Sequence, residues 1–238
     1  EKIILKHFNY STEYYSNLPI SKFHKITVKC QNQLNKINIQ KKFSKSESKF
    51  LEKQFLGKEL LYSSFITLRA VRPIKNKNDL KEPLGWHRET FYGDKKHIKH
   101  AINFWMPVLN YSRNIGLQVI PASHLIDDRK IKRISLKTGY NKVKKFSDSH
   151  KLGFPYAPKK IISGVDLRKA KKVNVPKKSF MIFSQYLIHG NGQNFSNKIR
   201  FAINFSFLPK DKLGENKLID KKKYNFIKNN LNNLYISV

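Results

Sequence analysis

His87 and Glu89 stand two residues apart with Arg88 between them, His189 follows one hundred residues after Glu89, and Arg200 comes eleven residues later again. If these side chains act together, the fold must bring segments from opposite halves of the chain to one place. Sheets built from strands distant in sequence meet that demand. In an extended strand, residues two apart point to the same face, so His87 and Glu89 can share one partner while Arg88 faces elsewhere. Two imidazoles and one carboxylate on one face of a metal leave the opposite positions open, an arrangement that suits a non-haem iron oxygenase. Zinc also accepts histidine and carboxylate, but a zinc site leaves Arg200 and its flanking strands without a role.

The run Ser179 to Ile188 is apolar and aromatic without helical periodicity, which predicts a buried strand. It ends at His189-Gly190-Asn191-Gly192, where glycine and asparagine allow a tight turn. A second such run, Ile199 to Leu208, opens at Arg200, the only arginine after Arg168. One hairpin therefore returns Arg200 to the neighbourhood of His189, and its planar fork can hold a carboxylate through two bonds, which lysine does poorly. Leu60 to Val71, Ala101 to Val108 and Gly116 to Ile120 read as further strands, and residues 1 to 43 as short strand-like pieces such as Lys25-Ile-Thr-Val28. Helices are expected over Ser44 to Glu59, where Ser44 or Ser46 can cap, and over Lys217 to Tyr235 within a helical C-terminal segment, 211 to 238. The pattern predicts an all-β core with flanking helices, a sandwich or jelly roll.

A chain of 238 residues suits a single domain, with its core over about 60 to 210. Cys30 is the only cysteine, which excludes an internal disulfide and a thiolate metal cluster. No run of eighteen apolar residues and no leader-like pattern is present, so a cytoplasmic protein without a membrane partner is expected. The formal net charge of +32 raises nucleic acid as a partner, but only eight of the 48 basic residues are arginine and the lysines are spread along the chain. That distribution reads as solvated faces; the field it creates favours an anionic small substrate. Between Leu125 and Val173 strand alternation fades and lysine, glycine and serine abound around Tyr140, His150, Phe154 and Tyr156. Long insertions of this kind are commonly lids, and this one joins two segments expected near the metal.

The stretch Gly85-Trp-His-Arg-Glu-Thr-Phe-Tyr92, the stretch Gly116-Leu-Gln-Val-Ile-Pro-Ala-Ser-His124, and Phe183 to Phe207 with His189, Asn194, Ser196 and Arg200 together resemble the iron(II) and 2-oxoglutarate dependent dioxygenases. The nearest branch is the phytanoyl-CoA dioxygenase-like one. Here Glu89 replaces the commoner aspartate and Ala122 the usual glycine of a Pro-Gly-Ser-His stretch. The resemblance implies a double-stranded β-helix (jelly roll), iron(II) held by His87, Glu89 and His189, and 2-oxoglutarate anchored by Arg200. It further implies dioxygen as co-substrate, with succinate and carbon dioxide released. Glu89 argues for hydroxylation over halogenation, since halogenating relatives carry a small residue there; desaturation and ring formation would use the same residues. Asn103, Arg69, Thr67, Asn191 and Ser206 are further candidates for the co-substrate site, whereas His97, His100 and His124 read as solvent-facing or structural. Trp86 to Tyr92 with Trp105-Met-Pro-Val-Leu109 is similar to oxygenases of carbohydrate biosynthesis, so the expected substrate is a small, anionic sugar or sugar-like metabolite. A basic nucleic-acid-binding or modifying protein, and a non-catalytic jelly-roll binding module, are the alternatives.

Overall fold

The computed structural model describes residues 1–74, 85–92, 99–136, 143–144, 146–155, 158–176, 178–212 and 235–237. Helices α1 (Lys2–His7), α2 (Thr12–Asn17), α3 (Ile20–Lys36), α4 (Ile39–Ser46) and α5 (Ser48–Gln54) come first. Strands β1 (Leu60–Ser63), β2 (Thr67–Val71), β3 (Ile102–Leu109), β4 (Leu117–Val119) and β5 (Lys132–Ser135) follow. After them come the short helix α6 (Asp148–Lys151) and strands β6 (Lys159–Ser163), β7 (Lys171–Lys172), β8 (Met181–Ser184), β9 (His189–Asn191), β10 (Arg200–Pro209) and β11 (Tyr235–Ser237). The result is a mostly β core with flanking helices.

Strand β10 organises this core because its alternate residues serve two layers. It pairs antiparallel with β1 and β2 along one edge and with β3 along the other, and β8 continues the sheet beyond β3. Phe201, Ile203, Phe205 and Phe207 face the helices, packing with Phe23, Leu34 and Phe43. Burying such a side chain contributes about 1.5–3 kcal/mol. Ala202 faces the other way and packs with Trp105, Phe183 and Leu117, and Leu117 belongs to a second sheet of order β7-β4-β9. The hairpin β5-β6 forms a third sheet, and Ile131 and Ile161 beside it pack with Phe91, Ile120 and Ile188.

Several boundaries differ from expectation. Lys25 to Val28 is helical, within α3, because Phe23, Thr27, Cys30, Gln31 and Leu34 recur at three- and four-residue spacing and are buried. Burial of that stripe outweighs the β preference of Ile26 and Val28. The helix expected from Ser44 to Glu59 is two helices, one beginning at Ile39 under an Asn38 cap and the other ending at Gln54, joined at Glu47. Leu60 to Val71 is broken between β1 and β2, although both halves lie on the same edge of β10. Ser179 to Ile188 is a strand only over β8; the chain then turns, with Leu187 donating to the Ser184 carbonyl at 3.0 Å, and passes to the other sheet as β9. Residues 125–173 carry β5, β6, β7 and α6, more regular structure than their composition suggests. At the C-terminus Tyr235–Ser237 is a strand on β1, not helix; residues 213–234 lie outside the described residues, as do His97, Tyr140 and Tyr156.

Candidate metal centre

The passage from β8 to β9 sets the site. His189 opens β9 and forms a single antiparallel bridge with His87, each backbone N–H donating to the other's carbonyl at 3.0 and 2.8 Å. The segment around His87 is thus not the strand expected: one bridge, then extended Arg88, then a 3-10 turn over Glu89–Phe91. The turn still puts Glu89 on the His87 side, with Glu89 Oε1 3.6 Å from His189 Nε2. One ligand atom from each of His87, Glu89 and His189 lies within 4.8 Å of the others.

The donor chemistry fits a divalent ion. His87 Nδ1 is 2.8 Å from the Gly85 carbonyl and His189 Nδ1 3.0 Å from the Leu187 carbonyl. A carbonyl can only accept, so each Nδ1 carries the proton and each Nε2 presents a lone pair, as ligating histidines do. Burial holds the His87 imidazole down at about 3, and the neighbouring His189 acts in the same direction. Burial alone would push the Glu89 carboxyl up, but a proton on His189 Nε2, the place a bound metal ion would take, together with His87 and Arg69, outweighs it and holds it at about 2. Neutral imidazole and ionised carboxylate are the forms a metal binds. Phe183 packs edge-on against His189, ring centroids 4.9 Å apart.

Arg88, between the two ligands, points away from them and is wholly buried. It donates to Asp128 Oδ1 at 2.7 Å and to the carbonyls of Ser123 and Ile126 at 2.7 and 3.1 Å. Ser123 Oγ in turn accepts from the backbone N–H of Ile188 at 2.8 Å, next to His189. The Pro-Ala-Ser-His turn is therefore a brace tying the His87–Glu89 segment to the His189 segment, and the side chain between the ligands is its bolt. Ala122 enters that turn at φ 59°, in the left-handed region.

Arg200 is also wholly buried on the metal-facing side of β10, donating to the Ile115 carbonyl at 2.9 Å and to Asn191 Oδ1 at 3.0 Å, with Trp105 beneath its guanidinium. The Asn194 side chain pins the turn before it, bonding the Val71 and Lys198 carbonyls and accepting from Ser196. Arg69 faces a small cavity shared with His87, Glu89, His189, Asn191 and Asn204. Its neighbour Thr67 lies farther along β2, against Gly153. Asn103 is buried in a reciprocal amide pair with Gln185, its Oδ1 accepting at 2.9 Å, and Ser206 lies opposite it in register with its N–H on Ser63 Oγ. Among the expected co-substrate residues, Arg69 and Asn191 therefore line the cavity at the metal ligands; Arg200 stands behind Asn191 and, like Asn103, Thr67 and Ser206, does not line it.

The profile of the phytanoyl-CoA dioxygenase (PhyH) family matches residues 22–202. The chain belongs to that family. The 2-oxoglutarate complex of EvdO2 from Micromonospora carbonacea var. aurantiaca is a similar solved structure, at 16% identity and TM-score 0.45 over 63% of this chain and 52% of that one. The nogalamycin-biosynthesis epimerase SnoN, complexed with Fe3+, alpha ketoglutarate and nogalamycin RO, matches at 14% and 0.45 over 75% and 61%. The non-heme monooxygenase ThoJ matches at 16% and 0.42, over 64% and 48%. This chain spans about half the length of EvdO2 and ThoJ. No curated protein matches it by sequence.

In this PhyH-family chain the metal end opens into a cleft of about 800 Å³. Sequence reasoning missed one whole wall of it: Gln31, Asn32 and Asn35 come from α3, whose helical period is masked by the β-branched residues around Lys25 to Val28. Phe146, His150 and Phe154 come from the 125–173 segment, on the side where a cover is expected. That piece is held by α3 and β2: His24 Nδ1 lies 2.7 Å from Ser149 Oγ, Gln31 donates to the Lys151 carbonyl at 3.0 Å, and Arg69 to the Leu152 carbonyl at 2.6 Å. Cys30 is buried in α3, its thiol pushed up to about 12 by burial, and takes no part. No described helix is long and apolar enough to cross a membrane.

Proposed function

We propose that this chain is a non-haem iron(II) and 2-oxoglutarate dependent oxygenase that hydroxylates a small anionic molecule. The observation that carries the reading is the convergence of His87, Glu89 and His189, with both imidazoles tied at Nδ1 so that Nε2 faces the shared centre. When bound, iron(II) with 2-oxoglutarate and dioxygen supplies the oxidising power to hydroxylate an unactivated carbon, releasing succinate and carbon dioxide. Arg200 anchors the far carboxylate of 2-oxoglutarate, with Arg69, Asn191 and Asn204 lining the same end. Phe183 and Trp105 keep that end dry, which strengthens each charged contact within it. The two sheets, joined across the turn from β8 to β9, act as the halves of a double-stranded β-helix. The chain works as one domain, with residues 125–173 covering the substrate side.

The anionic substrate follows from the cations Arg69, Lys151 and Lys159 around the cleft, where Glu89 is the single acidic side chain among the described lining residues. The test is to incubate the purified protein with iron(II), ascorbate and 2-oxoglutarate and to measure succinate. Succinate formation that disappears in Glu89→Ala supports the reading; equal formation with and without iron contradicts it.

A further inference from the structure

We propose that the cleft takes a flat, largely apolar molecule bearing one anionic group, rather than a polyhydroxylated sugar; this names the substrate class for the oxygenase reading above and rests on it. A cleft of about 800 Å³ lies towards the upper end for small-molecule sites. Its walls are aromatic. Phe91 and Tyr92 directly follow the ligand turn, Phe154 stands on the side of α6, and Phe65 and Phe146, both lining the cleft, remain 41% and 72% exposed. Single exposed rings are ordinary on a protein surface, but several turned into one cleft form an apolar binding face.

Of the three carboxamides on this wall, Asn32 is exposed at its edge, Gln31 is engaged at both ends and Asn35 at its oxygen. Gln31 accepts from the Leu68 N–H at 2.9 Å and donates to the Lys151 carbonyl, while Asn35 Oδ1 accepts from the Ile66 N–H at 2.8 Å. A ring of hydroxyls buried against phenyl walls would lose its hydrogen bonds to water without replacement, at a cost of about 1–3 kcal/mol each. A planar apolar body loses nothing there and gains ring contacts. The anionic group has a place too: the Arg69 guanidinium lies over the Phe154 ring, 5.6 Å from its centroid, and His24 stacks on the same ring at 5.0 Å, so Phe154 holds the cation at the wall while Phe65 and Phe146 offer the open rings, with Lys151 and Lys159 farther along. A flat anion can stack and pair with charge at once.

The test is a fluorescence titration of the iron(II)-loaded protein with 2-oxoglutarate, under argon, using pyrenecarboxylate, neutral pyrenemethanol, and glucose 6-phosphate as a displacing ligand. Pyrenecarboxylate should bind roughly ten-fold more tightly than pyrenemethanol and resist displacement by glucose 6-phosphate. The double variant Phe65→Ala/Phe146→Ala should weaken it by roughly ten-fold, the loss of two ring contacts, and Lys151→Gln by about three-fold. No binding of pyrenecarboxylate, unchanged affinity in the double variant, or ready displacement by glucose 6-phosphate would overturn the proposal. Iron content measured on the same samples keeps the two readings apart. Protein that retains iron and prefers the sugar phosphate retires the substrate class alone. Protein that holds no iron yet binds pyrenecarboxylate through Phe65 and Phe146 retires the oxygenase reading and leaves the binding face.

Discussion

Replacing Arg88 with methionine keeps much of its apolar stem and removes the bolt between the ligand-bearing segments. In the native chain Arg88 is 0% exposed and its partner Asp128 15% exposed at the side chain, so the pair sits largely out of water. Deleting one member of a buried ion pair costs about 3–5 kcal/mol, because the other charge is left behind. Asp128 retains some solvent, which lowers that figure, and the Ser123 and Ile126 carbonyls each lose a donor worth about 1 kcal/mol. We expect Arg88→Met to lose about 3 kcal/mol of stability in urea unfolding at an unchanged slope. A double-mutant cycle with Asp128→Asn should return a coupling energy of about 1–3 kcal/mol. Because the Ser123 turn also holds Ile188 beside His189, loosening it lets the His189 segment shift, and iron(II) affinity should fall by up to roughly ten-fold, the low end of what removing a direct outer partner of a ligand does. A loss below about 1 kcal/mol, together with native iron affinity, would refute the brace.

Arg200→Ala should raise the 2-oxoglutarate requirement by one to several orders of magnitude, since each charge-assisted bond is worth about 1.5–3 kcal/mol; Arg200→Lys should rescue only in part, and a native requirement in Arg200→Ala contradicts the assignment. Ala122→Gly should stabilise the fold by about 0.5–1 kcal/mol, as glycine takes the left-handed φ of 59° without a Cβ penalty, and destabilisation in thermal unfolding would count against it. Burial, with Arg72's charge, lowers the His24 imidazole from 6.5 to about 4 in the folded chain. The unfolded chain therefore takes up this proton first, so native stability should fall as pH drops from about 6.5 towards 4, by up to about 3 kcal/mol from this group, and no further below. His24→Gln should flatten that part of the stability profile, and an identical profile would sink the linkage.

The parts of this molecule that can be read in its sequence are those where one local rule decides. Along β10 the alternation of Phe201, Ile203, Phe205 and Phe207 with Arg200, Ala202 and Asn204 is enough by itself to assign both faces. His189 and Arg200 stand out in the sequence, but the tight turn and single hairpin expected between them do not form: Gly190 and Asn191 continue β9, which pairs with β4, and β10 belongs to the other sheet. Where two rules compete, the reading slips. Lys25 to Val28 has β-branched residues inside a helical stripe, and the stripe wins only because β10 offers it a surface to cover. His87 and Glu89 share a side through one bridge and a 3-10 turn, not through strand alternation. Their pairing is right, although strand geometry is the wrong reason for it. Asn103 stands out as a polar residue in an apolar run that needs a partner, but nothing local discloses that the partner is Gln185, 82 residues away. The bracing role of Arg88 is equally hidden, since it depends on where the Ser123 turn lands.

The central claim is that one iron(II) is held by His87, Glu89 and His189. Its most direct test is iron content after anaerobic reconstitution and desalting, measured by elemental analysis on the wild-type chain and on His189→Ala side by side. The account predicts one iron per wild-type chain and close to none in the variant, with the metal-free forms of both proteins unfolding to within about 1 kcal/mol of each other. Equal iron in the two proteins would contradict it.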